Sequence, residues 1–273
     1  MRPVILPLLA LLAIPCASAA QPSARPNIVV FLTDDHSLRD SSVYGAKDVR
    51  TPNMDRLAAA GLAFDRAFVA SPSCAPSRAA LLTGLMPARN GAEANHSKPR
   101  AEIRKLPSYL KDLGYEVVSF GKVSHYQHTG DYGFDHFAHD KFHEDIAVSA
   151  AIAWLRARRD PRPLCLFVGT NWPHVPWPAT GEGYEADAVK VPANHVDTPR
   201  TREARATYYA AVGRMDRELG DVFDAAREVL ARGDMLGIFI DGTRHHDAAV
   251  RHASSTWDPT SRCGGSCPGR PGR

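Results

Sequence analysis

The chain has 273 residues, of which 44% are hydrophobic and 23% are charged, with a formal net charge of +3 at pH 7. This length and composition allow a sizeable hydrophobic core and exclude a disordered or collagen-like chain. The excess positive charge comes from Arg2 and from the arginines after Gly242, and the rest of the chain has a net charge of about −1. We therefore expect no basic surface for nucleic acid.

Residues 1–20 have the pattern of a secretory signal peptide. Arg2 precedes an apolar run from Val4 to Ile14, and small residues follow from Ala17 to Ala20. The apolar run is too short to span a membrane, and small residues are typical of a signal cleavage site. We expect the mature chain to begin near Gln21 and to be exported, to the periplasm or as a secreted protein, with no membrane span.

Continuous apolar runs rich in Val and Ile predict strands that are buried on both faces of a parallel sheet. Periodic segments bounded by Pro and Gly predict helices between them, as is typical of an α/β fold. Strands are predicted at Asn27–Leu32, Glu116–Phe120, Leu164–Val168 and Met235–Ile240, and an alternating pattern predicts a further strand at Leu62–Val69. One helix is predicted between Thr51, its expected cap, and Gly61, and others are predicted at Leu106–Leu113, His143–Arg158 and Ala204–Leu230.

Polar side chains follow three of the predicted strands. They are Asp34 and Asp35, then Lys122 and His125, and then His174, which lies in a loop between two prolines. Ligands of open α/β sheets gather at the carboxyl ends of the strands, so the two acids are candidates for a metal site. A solvated turn is the alternative for the acids, and an exposed or structural position is the alternative for the lysine and the histidines.

The segment Ser71–Gly84 predicts a short helix with Cys74 at its start. Pro76 suits the first turn of a helix, where the missing N–H costs nothing, and Gly84 suits its end. Unpaired N–H groups and the helix dipole favour negative charge near Cys74, and Arg78 lies about one turn further on. The segment therefore predicts an anion site around a sulfur atom, or else a buried cysteine before a short helix.

The pattern Cys-x-Pro-Ser-Arg, followed by Thr-Gly, resembles the signature of the sulfatases. In that family a formylglycine-generating enzyme reads the cysteine, proline and arginine, and oxidises the cysteine to formylglycine. The Asp-Asp pair, the segment Thr-Pro-Asn-Met-Asp-Arg-Leu-Ala, Gly-Lys-x-x-His and Pro-His-x-Pro also resemble family motifs. Tyr208 to Asp216 looks like the corresponding helix of the heparan N-sulfatase branch, close to the iduronate sulfatases, and the likeness runs from about Pro26 to Ile240.

The resemblance implies a three-layer α/β/α sandwich around a largely parallel mixed sheet. It also implies a hydrolase of sulfate esters or sulfamates, whose partner is a sulfated small molecule or glycan. A hydrated formylglycine at Cys74 would attack sulfur, and Arg78 would steady the diol. Lys122 and His174 would bind sulfate oxygens, and His125 would take the proton from the formylglycine hydroxyl.

The same resemblance implies that Asp34, Asp35, Asp241 and the formylglycine at Cys74 bind a divalent cation. An all-oxygen ligand set favours Ca²⁺, with Mg²⁺ as the alternative. Phosphonate and phosphodiester hydrolases of the same superfamily carry a similar cysteine motif, so phosphoryl transfer is the alternative reaction. A sulfatase remnant without turnover is the alternative of a different class, and because metal ligands of the family are missing we expect this chain itself to have weak activity or none.

The sequence departs from the family after Ile240. The family has Ser, Asp, His or Asn, and Gly at this point, whereas this chain has Asp241 and Gly242 and so supplies at most one of the ligands. We expect residues 21–242 to be a truncated catalytic domain and residues 243–273 to be an irregular tail. We interpret the tail as the product of a frame shift near Met235 to Gly242; a metal-binding tail with His245, His246 and Asp247 is the alternative.

Overall fold

The computed structural model of the chain describes residues 25–139, 146–230, 235–240 and 251–252. The strands of this part are β1 (Asn27–Leu32), β2 (Leu62–Ala63), β3 (Glu116–Gly121), β4 (His136–Ala138), β5 (Leu164–Gly169), β6 (Met235–Ile240) and β7 (Arg251–His252). Five of them form one sheet in the order β4-β3-β5-β1-β6, and all the described pairs in it are parallel. β2 and β7 form a separate antiparallel pair.

The register of the sheet brings three strand ends together. Gly169 of β5 lies beside Leu32 of β1 on one side and beside Gly121 of β3 on the other. Because parallel strands point the same way, the residues that follow these three positions leave the sheet at one edge. The prediction that polar residues after different strands meet at one edge is therefore confirmed for β1, β3 and β5.

Helices cover both faces of the sheet. They are α1 (Pro52–Ala59), α2 (Cys74–Thr83), α3 (Pro87–Asn90), α4 (Leu106–Asp112), α5 (Ala147–Ala157) and α6 (Pro199–Leu230), with 3₁₀ helices at Leu38–Asp40, Ser42–Tyr44 and Tyr126–Tyr132. Alternate strand residues face opposite sides. On one side Val29 and Phe31 pack with residues of α5 and α6. On the other side Val30 and Leu32 pack with residues of α2 and α4, so the three-layer arrangement is confirmed.

The predicted strand from Leu62 to Val69 is wrong for most of its length. Only Leu62 and Ala63 pair, and they pair with β7, which lies within the segment expected to be an irregular tail. Leu62, Phe64 and Phe68 are 60%, 59% and 65% exposed. The alternating pattern of this segment therefore does not reflect burial against the sheet, which is the interaction that stabilises a strand.

The boundaries of the other predicted elements need smaller changes. α6 begins at Pro199, five residues before the predicted start, because proline suits the first turn of a helix. α5 is described from Ala147, and the start predicted for it at His143 lies outside the described residues. The predicted signal peptide and most of the tail also lie outside them. Within the described part, no helix is both long and apolar enough to cross a membrane.

Thr51 is the N-cap residue of α1, as predicted, but another residue supplies the capping hydrogen bonds. The side chain of Thr51 makes no capping hydrogen bond, and its Oγ1 instead accepts one from Ser42 N at 3.0 Å. Asp216 of α6 takes its place, since its carboxylate accepts hydrogen bonds from Asn53 N at 3.0 Å and from Met54 N at 2.9 Å. Burial raises the pKa of Asp216, and these hydrogen bonds oppose that rise. A buried carboxylate thus joins the start of α1 to the middle of α6.

We expect Asp216→Ala to lower the free energy of unfolding by about 3 kcal/mol, because it removes the charged acceptor of two otherwise unpaired helix N–H groups. Urea unfolding followed by circular dichroism measures the effect. Asp221→Ala is the matched control, since Asp221 is an exposed acid on the same helix. Equal unfolding midpoints for the two variants would contradict the capping role.

Candidate active site

A buried carboxylate between two cations lies at the carboxyl edge of the sheet. Asp34, which follows β1, is 2% exposed, and Lys122 and Arg78 are 2% and 6% exposed. Lys122 Nζ donates to Asp34 Oδ2, and Arg78 Nη2 lies 3.3 Å from Asp34 Oδ1. The structure thus brings together three of the predicted site residues, and their formal charges leave an excess of one positive charge, which suits an anionic ligand.

The position of Arg78 is set by the backbone around it. Its Nη2 donates to the carbonyl of Thr33 at 2.8 Å, and its Nη1 donates to the carbonyl of Lys122. These two carbonyls follow β1 and β3, so the guanidinium joins α2 to both strand ends. A planar guanidinium with several fixed donors is well suited to hold such a geometry.

Two glycines allow the strand ends to approach closely. Gly121 has a φ of +71°, in the left-handed region, and a Cβ added there would overlap the carbonyl oxygen of Gly169. A Cβ added at Gly169 would overlap the carbonyl of Lys122. Lys122 N donates to the Gly169 carbonyl at 2.8 Å. The absence of side chains at these two positions therefore lets Lys122 turn away from the sheet beside Asp34.

Asp35 and His174 form a second, more exposed pair. Asp35 has a φ of +61°, and its side chain is 59% exposed, with Oδ2 at 3.6 Å from His174 Nε2. The other ring nitrogen of His174 lies 2.6 Å from the carbonyl oxygen of Val175. Tyr208 of α6 holds the backbone on the other side, because its hydroxyl donates to the Asp35 carbonyl at 3.3 Å and accepts from Ser37 N at 3.2 Å.

Cys74 begins α2, as predicted, and its side chain is half-buried. Its Sγ lies 3.6 Å from Oδ1 of Asn95, which the sequence did not single out. Cys74 lines a cavity of about 1210 Å³ together with Asp34, Asp35 and Arg78. The cysteine, both acids and the arginine of the predicted site thus face one cavity.

His125 lies next to this group at the start of the 3₁₀ helix Tyr126–Tyr132. Its Nε2 lies 2.9 Å from Nδ1 of His96. Burial, and to a smaller extent the nearby His96 and Lys122, lower the pKa of His125 to about 4. The ring is therefore neutral near pH 7, the state in which an imidazole can accept a proton.

Four residues of this region were not found from the sequence. The ring of Tyr126 lies under Lys122, with 5.2 Å between Nζ and the ring centroid, and its hydroxyl donates to Asn171 Oδ1 at 2.9 Å. Asn171 follows β5, so the argument from strand ends applies to it and would have found it. Asn95 and His96 lie in a turn far from any strand end, so that argument does not reach them. Tyr126 has no signal in the sequence beyond its place next to His125.

The described residues fit part of a site for a hard divalent cation. Asp34 and Asp35 offer adjacent carboxylates, which are the donors that Ca²⁺ and Mg²⁺ prefer. No group of three His, Cys, Asp or Glu side chains within the described ranges is arranged to hold a metal ion. The third expected acid, Asp241, lies outside those ranges, as do His245, His246 and Asp247 of the alternative tail site.

Comparison with known proteins gives consistent matches. The family model described as Sulfatase matches residues 26–236. An ulvan-active sulfatase of Formosa agariphila is 33% identical over 207 residues, which are 73% of this chain and 41% of the relative. The N-sulphoglucosamine sulphohydrolase of Homo sapiens is 30% identical over 259 residues, which are 79% of this chain and 50% of the relative. The chain thus spans at most half the length of these two relatives.

A solved structure shares the fold. It is a protein in complex with its substrate, D-glucosamine-2-N,6-O-disulfate, and it superposes on this chain with a TM-score of 0.66 at 19% identity. The match covers 80% of this chain and 65% of the other. The family model matches most of the chain, two relatives are at least 30% identical, and the architecture agrees with both findings. The chain therefore belongs to the sulfatase family.

Proposed function

We propose that this protein hydrolyses sulfate esters or sulfamates with a formylglycine made from Cys74. The main observation behind the proposal is that Cys74, Arg78, Asp34 and Asp35 line the same cavity. Cys74 stands at a helix N-terminus, and Lys122 adds a buried cation beside Asp34. Family membership supports the same chemistry, because the pattern Cys-x-Pro-Ser-Arg is the one that the modifying enzyme reads.

We further propose that the substrate is a sulfated glycan. The name of one relative refers to ulvan and the name of another to N-sulphoglucosamine, and the structural neighbour is bound to a sulfated glucosamine. The cavity beside Cys74 is open enough to admit a sugar ring. Export of the chain, which the pattern of residues 1–20 favours, would place the enzyme where such polymers occur.

When present, the formylglycine supplies a hydrated aldehyde as the nucleophile and a route for releasing sulfate. The other residues of the proposed site offset negative charge or accept protons. Arg78 is held by two backbone carbonyls, so it offers a fixed cation at the oxygen atoms bound to position 74. His125 is neutral near pH 7 and accepts the proton of a hydroxyl at position 74.

Lys122 and His174 bind the sulfate oxygens. The ammonium of Lys122 donates to Asp34 in the structure, and its positive charge would attract an oxyanion in the site. His174 lies beside Asp35, in the more exposed pair of the site. Together they would offset the charge that develops on the sulfate oxygens in the transition state.

We propose that Asp34, Asp35, position 74 and Asp241 hold one divalent cation, Ca²⁺ rather than Mg²⁺. When bound, such an ion polarises a sulfate oxygen and lowers the pKa of the attacking hydroxyl. Asp34 also has a structural role that does not depend on the ion, because its carboxylate fixes Lys122 and Arg78. Asp35 is the ligand whose loss disturbs the buried cluster least, since its side chain is 59% exposed.

Co-expression of the full chain with a formylglycine-generating enzyme tests the proposed reaction. We expect intact mass to show conversion of Cys74, and aryl sulfate to be hydrolysed faster than aryl phosphonate or phosphodiester. Cys74→Ala should lower kcat by roughly a thousandfold or more, because it removes the nucleophile. A faster reaction on the phosphorus substrates would assign phosphoryl transfer instead, and conversion without turnover would mark a non-catalytic chain.

Calorimetric titration of the full chain with Ca²⁺ tests the proposed cation site without reference to activity. We expect Asp35→Asn to weaken Ca²⁺ binding by roughly tenfold or more, because a charged oxygen ligand is replaced by a neutral one. Asp221→Asn serves as the control, since it removes an exposed acid from α6. Unchanged Ca²⁺ affinity in the Asp35 variant would remove this residue from the site.

A further inference from the structure

The turn at Asn95 and His96 touches two residues of the proposed active site. Oδ1 of Asn95 accepts from His96 N at 3.0 Å and lies 3.6 Å from Sγ of Cys74. Nδ1 of His96 lies 2.9 Å from Nε2 of His125, and the two rings meet edge to face with 4.6 Å between centroids. One turn thus contacts both the residue to be converted and the histidine that accepts its proton.

The conformation of this turn indicates that its contacts hold it. His96 has a φ of +64°, a left-handed conformation that is uncommon for residues other than Gly and that His, like Asn and Asp, adopts more often than most. The next residue closes the turn, since Ser97 N donates to the Ala94 carbonyl at 3.2 Å and Ser97 Oγ donates to the same carbonyl at 2.5 Å. Further on, Arg100 N donates to the Asn90 carbonyl at 2.9 Å. The ring of His96 is therefore presented to His125 by an ordered backbone.

A hydrogen bond between two imidazoles constrains both rings. When both are neutral, one nitrogen must donate and the other must accept, so the bond allows only two of the four tautomer combinations and couples the tautomer of His125 to that of His96. In each combination the remaining nitrogen of His125 has the opposite role, as an acceptor or as a donor, toward the rest of the site. A second histidine, His128, contacts His125 differently, through its ring at 5.6 Å between centroids.

We propose that His96 is a positioning residue, which selects one of these two combinations and so holds His125 in one tautomer and one orientation. This inference rests on the proposed function for its effect on turnover, but the tautomer itself is a property of the chain. It adds to the site a residue from the turn between α3 and α4, which neither the strand ends nor the cysteine motif supplies.

Two substitutions distinguish the effect of the His96 ring from the effect of its left-handed backbone conformation. His96→Gly accepts the left-handed conformation and removes the ring. His96→Asn also suits this conformation and keeps a polar atom at the position of Nδ1. His128→Gln is the matched control, since it removes the neighbouring ring and leaves the bond from His96 in place.

Nitrogen NMR of the histidine side chains gives the first readout, on the full chain and without substrate. We expect one dominant tautomer of His125 in the unsubstituted protein, in His96→Asn and in His128→Gln. We expect a mixture of the two tautomers in His96→Gly. An unchanged single tautomer in His96→Gly would overturn the proposal, whether or not the protein proves to be a sulfatase.

Steady-state kinetics on an aryl sulfate give the second readout. We expect His96→Gly to lower kcat by roughly tenfold, with KM changed less than twofold, and His96→Asn to restore most of the loss. A rise in KM with kcat unchanged would overturn the positioning role in favour of substrate contact. Absence of sulfatase activity in the unsubstituted protein would count against the proposed function, while the tautomer measurement would still decide the role of His96.

Discussion

The contact on which the site depends is the burial of the Asp34 carboxylate between Lys122 and Arg78. The three groups come from the ends of β1 and β3 and from α2, and each is almost fully buried. Two cations and one anion withdrawn from water tolerate little rearrangement, because loss of one partner leaves an uncompensated buried charge. The backbone hydrogen bonds of Arg78 then fix the start of α2, and with it Cys74, relative to the sheet.

Much of the fold follows from local sequence pattern. Residues 29–32 of β1 and all of β5 are buried on both faces, and a continuous apolar run is what such a strand requires. The positions of Asp34 and Lys122 follow from the same reasoning, since parallel strands deliver their next residues to one edge. The roles of individual side chains came from the resemblance to sulfatases, because spacing alone left a solvated turn or a surface lysine as alternatives.

The features that could not be predicted depend on contacts between distant parts of the chain. The carboxylate that caps α1 belongs to Asp216, on a different helix, and Thr51 carries the local signal without making the bond. The segment after Leu62 alternates like a strand but leaves Phe64 and Phe68 exposed. His96 reaches His125 from a turn that has no periodicity, and only the tertiary structure brings the two rings together.

The attachment of Tyr208 to the Asp35 backbone has a consequence for ligand binding. α6 is a helix of 32 residues packed on the sheet, and the tyrosine hydroxyl bridges the Asp35 carbonyl and Ser37 N. The left-handed conformation of Asp35 is therefore in place before any ion or substrate arrives, and its ordering entropy is already part of folding. The cation binding proposed at this carboxylate would therefore start from a backbone that is already in place, and less ordering entropy would oppose it.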